Sequence, residues 1–359
     1  MKIGGEELST LSLAKEMVGR GHVVFVMGSK GPMYDEFINA GAQVELSSRP
    51  FRRNIAGILA DARDIADIVR RGHIDIVHSQ SVFPTLSAFW ALRKMSRRPK
   101  LIFHDRGIGK HSYPVVAKWF NYLVDCVITN SDFEATLLNN SGLQVPCIRI
   151  HNCFNTSCQA GPGKDIRSEF GIDRTAKVIG IVGRLAEQKG HAYLLEAFRQ
   201  VLDNCTDRNI ILLIVGDGPL REKLNRTAHK LSLENHVVFA GFRRDMEHVY
   251  PALDMLLVPS IFEPFGNVAV EGGAYGIPVI ASSVGGLPEA LMHGESGLLV
   301  PPRDAEKLAG AITHLLEYPD VAQQLGAHGR EFATTYFTSK RVADEVVAVY
   351  DSMLGGEVS

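Results

Sequence analysis

DMLLVPSIFEPFGNVAVEGGAYGIPVIAS, residues 254–282, reads as a strand, a tight loop, a helix and a second strand in one unbroken run. The apolar blocks at its two ends are short and rich in Val, Ile and Leu, as parallel strands buried on both faces must be. Pro264 and Gly266 keep the intervening loop tight, and Glu271 falls about one turn into the helix that follows it. The same strand-turn-helix unit recurs outward in both directions. AKVIGIVG, NIILLIVG and HVVFAGF precede it and GLLVPP follows, with helices predicted to begin near His191, Leu220, Phe265, Pro288, Ala305 and Asp320.

The first half repeats the pattern. A helix from Leu8 to Arg20 stops at Gly21 ahead of HVVFVM, and another from Ile55 to Arg71 stops at Gly72 ahead of IDIVHS. KLIFHD, a helix around Val115 to Leu123 and DCVITNS follow. Alternation of this kind predicts an α/β chain of two doubly wound, Rossmann-like domains in tandem. The stretch from Asn155 to Asp165 is rich in turn formers and has no periodicity. We therefore expect an N-terminal domain over 1–155, a linker over 156–176, a C-terminal domain over 177–338 and a closing helical segment over 339–359. In that segment Val342, Val346, Val347, Tyr350 and Leu354 share helical spacing. The binding crevice of such a pair is expected at the carboxyl ends of the strands, between the domains.

Composition narrows the function. Of 359 residues 45% are hydrophobic and 22% charged, the balance of a globular chain, and no apolar run approaches the ~20 residues of a membrane-spanning helix. Acids follow MKIGG where a secretory signal would place an apolar block, so cytoplasmic residence is expected. The five cysteines are odd in number and form no C-x-x-C, which predicts free thiols and no metal site. Residues 1–150 hold 19 Lys+Arg against 14 Asp+Glu, and residues 151–359 hold 19 against 26. The basic residues Arg93, Lys94, Arg97, Arg98 and Lys100 cluster in the first half, as do Arg49, Arg52 and Arg53. They suit either a solvated surface or an anionic partner, a membrane or a phosphate-bearing acceptor. Nucleic acid is not expected, because the isoelectric point is 6.7 and no aromatics interleave these cations.

Chemistry can be placed at four turns of the second half. IGIVGRLAEQKG, residues 179–190, sets Gly183, Arg184 and Lys189 ahead of a helix, where two cations and free backbone N–H groups suit a diphosphate. IVGDGPLREK, residues 214–223, begins like a dinucleotide fingerprint but has Arg221 at the third glycine, so it reads as backbone lining a crevice or as a plain turn. In the decisive stretch, side chains tilt toward a helix's N-terminus, so Glu271 reaches back toward the loop holding Glu263. Two carboxylates there suit vicinal hydroxyls, and the N–H groups of Gly266, Asn267 and Val268 suit phosphate. The glycine pair in SSVGGLPEAL, residues 282–291, either cradles phosphate or turns the chain.

VGRLAEQKG, VGDGP, VVFAGF, the E-x7-E segment FEPFGNVAVE, GGLPE and HGESGLLVPP, in this order, resemble the GT-B glycosyltransferases of family 4. By that resemblance Arg184 and Lys189 hold the diphosphate of a nucleotide-sugar donor, Glu271 binds ribose and Glu263 the donor sugar. Phe265 to Val268 offer backbone N–H groups, and Arg243 lies near the nucleobase. His104 is similar to the family's histidine near the transferred sugar. HSQS at residues 78–81 resembles its paired-histidine segment, with His78 kept and Gln80 at the second position. Gly4 and Gly5 resemble its acceptor-side glycine loop, but they stand at the very start, so the family's first strand is missing from the expected sheet. The closing helix is implied to cross back to the N-terminal domain.

The implied reaction moves a sugar from a nucleoside diphosphate sugar to an acceptor hydroxyl with retention. Arg184, Lys189 and a helix N-terminus stabilise the departing diphosphate, with no metal or other cofactor. The chain has no D-x-D, in keeping with that. A lipid-linked or saccharide acceptor of the cell envelope, met at the inner membrane face, is the expected partner. A nucleotide-sugar epimerase, a phosphorylase and a non-catalytic nucleotide-sugar-binding protein remain as rivals.

Overall fold

A computed structural model describes residues 5–47, 54–154, 165–206 and 209–355. The chain divides into two compact units, residues 1–155 with 338–359, and residues 156–337. The first unit runs α1 (Gly5–Gly19), β1 (Phe25–Gly28), α2 (Tyr34–Asn39), β2 (Gln43–Leu46) and α3 (Ile55–Gly72). It continues β3 (Ile76–Ser79), α4 (Val82–Leu92), β4 (Lys100–His104), α5 (Tyr113–Leu123), β5 (Cys126–Thr129), α6 (Asp132–Asn140) and β6 (Cys147–Arg149). The second unit runs α7 (Ile166–Glu169), β7 (Lys177–Val182), α8 (His191–Asn204), β8 (Ile210–Val215), α9 (Arg221–Lys230), β9 (Val237–Gly241) and α10 (Met246–Val249). β10 (Met255–Val258), α11 (Asn267–Ala274), β11 (Val279–Ser282), α12 (Leu287–Ala290), β12 (Leu298–Val300), α13 (Ala305–Glu317) and α14 (Pro319–Tyr336) complete it. The last helix, α15 (Ser339–Leu354), belongs to the first unit.

All strands of the second unit are parallel, in the order β12-β11-β10-β7-β8-β9. β7 comes first in sequence yet lies in the middle, so chain direction across the sheet reverses between β7 and β10. That reversal is the switch point at which α/β sheets open a crevice past the carboxyl ends of their strands. The sheet is held by a core in which Ile179, Ile181, Leu212 and Leu257 meet Leu194, Phe198 and Val201 of α8, all at most 2% exposed. Truncating Phe198 to Ala would cost about 3–5 kcal/mol.

The first unit's strands form two parallel sheets, β3-β4-β5-β6 and β1-β2. Compared with the second unit, β2-β1 corresponds to β9-β8 and β3 to β10; the central place of β7 has no strand among the described residues. The consequence shows in burial: β10 is buried throughout, whereas three of the four residues in each of β1 and β3 are half-buried. Along β4 side chains alternate between faces. Leu101 and Phe103 face α5, where Phe103 meets Phe120 edge to face at 4.6 Å. Ile102 faces the other way, into a core with Ile128 of β5, Leu13 and Met17 of α1, and Val342 and Val346 of α15.

Residues 165–176, inside the expected linker, are part of the second unit. Asp165 caps α7 through Ser168 N–H, Ile166 and Ala176 are buried, and Arg167 donates to Asp254 and to the carbonyls of Ala252 and Ala176. The turn formers of residues 155–164 lie outside the described residues, as do Gly4, Arg49, Arg52, Arg53 and Cys158. Gly5 opens α1 rather than a loop. No helix among the described residues is long and apolar enough to cross a membrane.

Candidate functional site

The loops that leave β7, β8, β10 and β11 at their carboxyl ends are pressed together backbone to backbone. Gly190 ends a short turn after β7 with φ 70°, and a Cβ there would stand 1.9 Å from the carbonyl oxygen of Pro259, in the loop after β10. The Ile261 N–H, also in that loop, donates to Gln188 O at 2.7 Å. Gly285, after β11, has φ 58° and no room for a Cβ, which would lie 1.8 Å from Glu263 O. Its neighbour Gly286 donates to the same carbonyl at 3.0 Å. The glycine pair 285–286 is thus a backbone clamp on Glu263. The loop after β8 closes the group, with Leu185 N–H donating to Asp217 O at 3.0 Å and Leu220 N–H to Leu185 O at 3.1 Å.

Three of the four charged residues singled out in the sequence meet within this frame. Lys189 Nζ donates to Glu263 Oε2 at 2.6 Å, the two side chains being 19% and 13% exposed. Ser260 Oγ, buried, donates to the same oxygen at 3.0 Å. Glu271, on the first turns of α11, accepts a hydrogen bond from the buried Tyr250 hydroxyl, and Tyr250 stacks on Tyr275. Burial raises the pKa of Glu271; the Tyr250 hydroxyl and the nearby charge of Lys189 work against that rise. Lys189 is thus paired with Glu263 and within electrostatic reach of Glu271, and its ammonium has three donors of which Glu263 takes one.

The fourth, Arg184, sits beside Gly183, whose Cβ would touch the Lys189 stem at 3.6 Å. Arg184 is exposed, and its guanidinium has no hydrogen bond or ion pair among the described residues. At the start of α11, Gly266 and Val268 present N–H groups with no backbone acceptor among the described residues, while Ala269 N–H already turns back to Gly266 O at 2.9 Å. Phe265 is buried and packs on Phe337; Asn267 opens the helix.

Arg243 stands differently. Its guanidinium is clamped by Asp245, at 2.9 and 2.6 Å, and by both oxygens of Glu169. These pairs raise its pKa further, so this cation is committed to joining the β9 turn to α7.

Of the sequence-predicted histidines of the first unit, His78 lies within β3 and His104 ends β4. Tyr350 Oη of α15 is 2.6 Å from His78 Nδ1, His78 Nε2 is 3.1 Å from His104 Nδ1, and His104 Nε2 is 3.0 Å from Asn130 Oδ1. Arg106 also donates to Asn130 Oδ1, at 3.3 Å, which fixes that atom as the amide oxygen. One pattern of protons satisfies the chain: Tyr350 O–H to His78, His78 Nε2–H to His104, His104 Nε2–H to Asn130. Both rings are neutral in it. Burial and the Arg106 charge push the pKa of His78 down to about 3 and that of His104 well below the usual histidine range. Arg106 further donates to Gln80 Oε1 at 2.7 Å and to Asn152 Oδ1. Gln80, at the position of the family's second histidine, thus serves as an acceptor for arginine. Below this layer Asp105 and Glu134 are buried together, and burial raises both pKa values.

Tyr250, Ser260, Arg106 and Asn130 were missed in the sequence. Tyr250 and Ser260 carry no motif of their own. Arg106 and Asn130 stand just past the apolar runs of β4 and β5 and likewise belong to no motif.

Two family models match in tandem, Glycosyltransferase Family 4 over residues 3–157 and Glycosyl transferases group 1 over residues 163–332. The chain is similar to Anabaena HepE, solved in complex with UDP and glucose, with 25% identity, a TM-score of 0.81 and coverage of 97% of this chain and 96% of that one. It is 23% identical to the N-acetyl-alpha-D-glucosaminyl L-malate synthase of Bacillus anthracis over 98% of this chain and 95% of that enzyme. It is 36% identical to the D-inositol 3-phosphate glycosyltransferase of Corynebacterium glutamicum over 55% of this chain, and the match spans about half, 49%, of that relative's length. The chain belongs to the GT-B glycosyltransferases of family 4.

Proposed function

We propose that this protein transfers a sugar from a nucleoside diphosphate sugar to an acceptor hydroxyl, with retention of anomeric configuration. The observation that carries the reading is the gathering of Lys189, Glu263 and Glu271, beside an exposed Arg184 with no ion pair among the described residues and the N-terminus of α11, at the carboxyl end of the switch point between β7 and β10. The HepE complex with UDP and glucose supports the same donor class. Arg184 and the two remaining donors of Lys189 are offered to the diphosphate, and the Gly266 and Val268 N–H groups add the positive end of a helix. Charge growing on the departing diphosphate is stabilised there without a metal ion. Glu271, held by Tyr250, accepts from ribose hydroxyls, and Glu263 from the donor sugar. The leaving phosphate takes the acceptor proton on the front face of the sugar.

In the first unit both ring nitrogens of the buried, neutral His104 are taken by His78 and Asn130, so this ring is assigned no hydrogen bond to the transferred sugar. The acceptor is a lipid-linked or saccharide hydroxyl of cell-envelope synthesis, met by a cytoplasmic protein at the inner membrane face. A panel of nucleotide sugars scored by melting temperature tests the donor, since a ligand bound only by the folded state stabilises it. Product formation with the selected donor, and the anomeric coupling of that product, test transfer and retention. Stabilisation by no nucleotide sugar, or conversion of donor alone to an epimer, would overturn the reading.

A further inference from the structure

The face of the first unit formed by α4 and α5 carries a side-chain pattern unrelated to the donor site. α5 buries Val116, Ala117, Phe120 and Leu123 against the sheet, and turns Val115, Trp119 and Tyr122 outward at helical spacing, 60%, 60% and 78% exposed. On the adjacent α4, Trp90 is 42% exposed and lies 3.9 Å beneath the Arg93 guanidinium. These are the chain's two tryptophans. Two indoles and a phenol exposed on neighbouring helices form the kind of aromatic patch that marks an interaction surface.

Charge identifies it. From Ile76 to Val124 the chain holds eight Lys+Arg and one acid, Asp105, which is fully buried. Two of those cations are paired from outside the segment, Arg97 with Asp75 and Arg98 with Asp125. Arg93, Lys94 and Lys118 form no ion pair among the described residues. A second copy of the chain would set cation against cation across this face. Amphipathic rings ringed by basic side chains fit the headgroup level of a bilayer, where indoles and phenols settle and Lys and Arg meet anionic lipid.

We infer that the α4–α5 face is a docking surface for an anionic lipid bilayer, with Trp119, Tyr122 and Trp90 entering the headgroup layer and Arg93, Lys94 and Lys118 meeting lipid phosphates. It deepens the membrane-side part of the reading above, and rests on that reading only for its purpose. The test is co-sedimentation and tryptophan fluorescence of the full chain with phosphatidylcholine vesicles with and without phosphatidylglycerol. Binding that requires phosphatidylglycerol and shifts the emission to the blue is expected, since both tryptophans report on this face. Lys94→Gln with Lys118→Gln should weaken partitioning about fivefold for each cation. Trp119→Ser with Tyr122→Ser should weaken it about tenfold or more, with the melting temperature unchanged because both rings are exposed. Failure to partition, partitioning indifferent to both double variants, or a blue shift that tracks self-association without vesicles would overturn the inference. Nucleotide-sugar binding, measured without vesicles, scores the donor reading separately.

Discussion

Replacing Lys189 by Met isolates what the Lys189–Glu263 pair does. At 2.6 Å the gross attraction is about 6 kcal/mol at an effective dielectric of ~20, most of it offset by the loss of hydration on both sides. With Lys189 gone, Glu263 keeps only the Ser260 hydroxyl as a side-chain donor in its half-buried position. A fully buried orphan charge costs about 3–5 kcal/mol. Glu263 keeps some solvent, so we expect about 2 kcal/mol, a fall in melting temperature of roughly 4–8 °C. Glu263→Gln in the same background removes the orphan charge and should return more than half of that loss. Turnover behaves differently. Lys189→Met should lower kcat by about two to three orders of magnitude, as loss of a transition-state cation does, and the double variant should stay as slow. Thermal unfolding and initial rates on the four proteins of the cycle make the comparison. A double variant no more stable than Lys189→Met would refute the pairing, and full turnover in Lys189→Met would refute the role at the diphosphate.

Gly285→Ala must place a Cβ 1.8 Å from Glu263 O at φ 58°, so a loss of about 2–4 kcal/mol is expected in urea unfolding; a loss under ~0.5 kcal/mol would show that the loop does not clamp Glu263. Tyr350→Phe removes the donor to His78 Nδ1 and should cost about 1–2 kcal/mol, while ¹⁵N shifts of His78 and His104 report tautomer mixing; unmoved shifts would mean that α15 does not set the proton pattern. His191, at the start of α8, is buried, and burial together with the nearby Lys189 charge pushes its pKa down to about 4 against the Ala186 backbone, which favours the charged ring. Because its folded pKa lies below the unfolded value of ~6.5, the unfolded state binds the extra proton between these values, so stability is full above pH ~6.5 and falls as pH drops toward 4. Relative to His191→Leu, the wild-type protein should lose about 2–3 kcal/mol over that interval, and a pH-independent difference would exclude a buried neutral imidazole.

What the sequence determined by itself is local and periodic. Short Val- and Ile-rich runs between helical stretches give parallel strands because a strand covered on both faces has no polar side to show, and this was enough for two α/β units. Glu271 could be aimed at Glu263 before any coordinates, since both lie on one strand-loop-helix segment whose geometry is fixed within a few turns. The tertiary structure alone decided everything that depends on partners far apart in the chain. Tyr250 against Glu271, Glu169 and Asp245 around Arg243, and Tyr350 against a histidine 272 residues away leave no mark on local spacing. Arg184 and Arg243 look alike as loop arginines, yet among the described residues one is exposed and unpaired and the other is locked between two carboxylates. A cation's availability is set by which acids the fold brings to it, and that information is non-local. For the same reason the glycine pair at 285–286, equally suited to phosphate or to a turn in sequence, proved to be the place where one backbone rests on another.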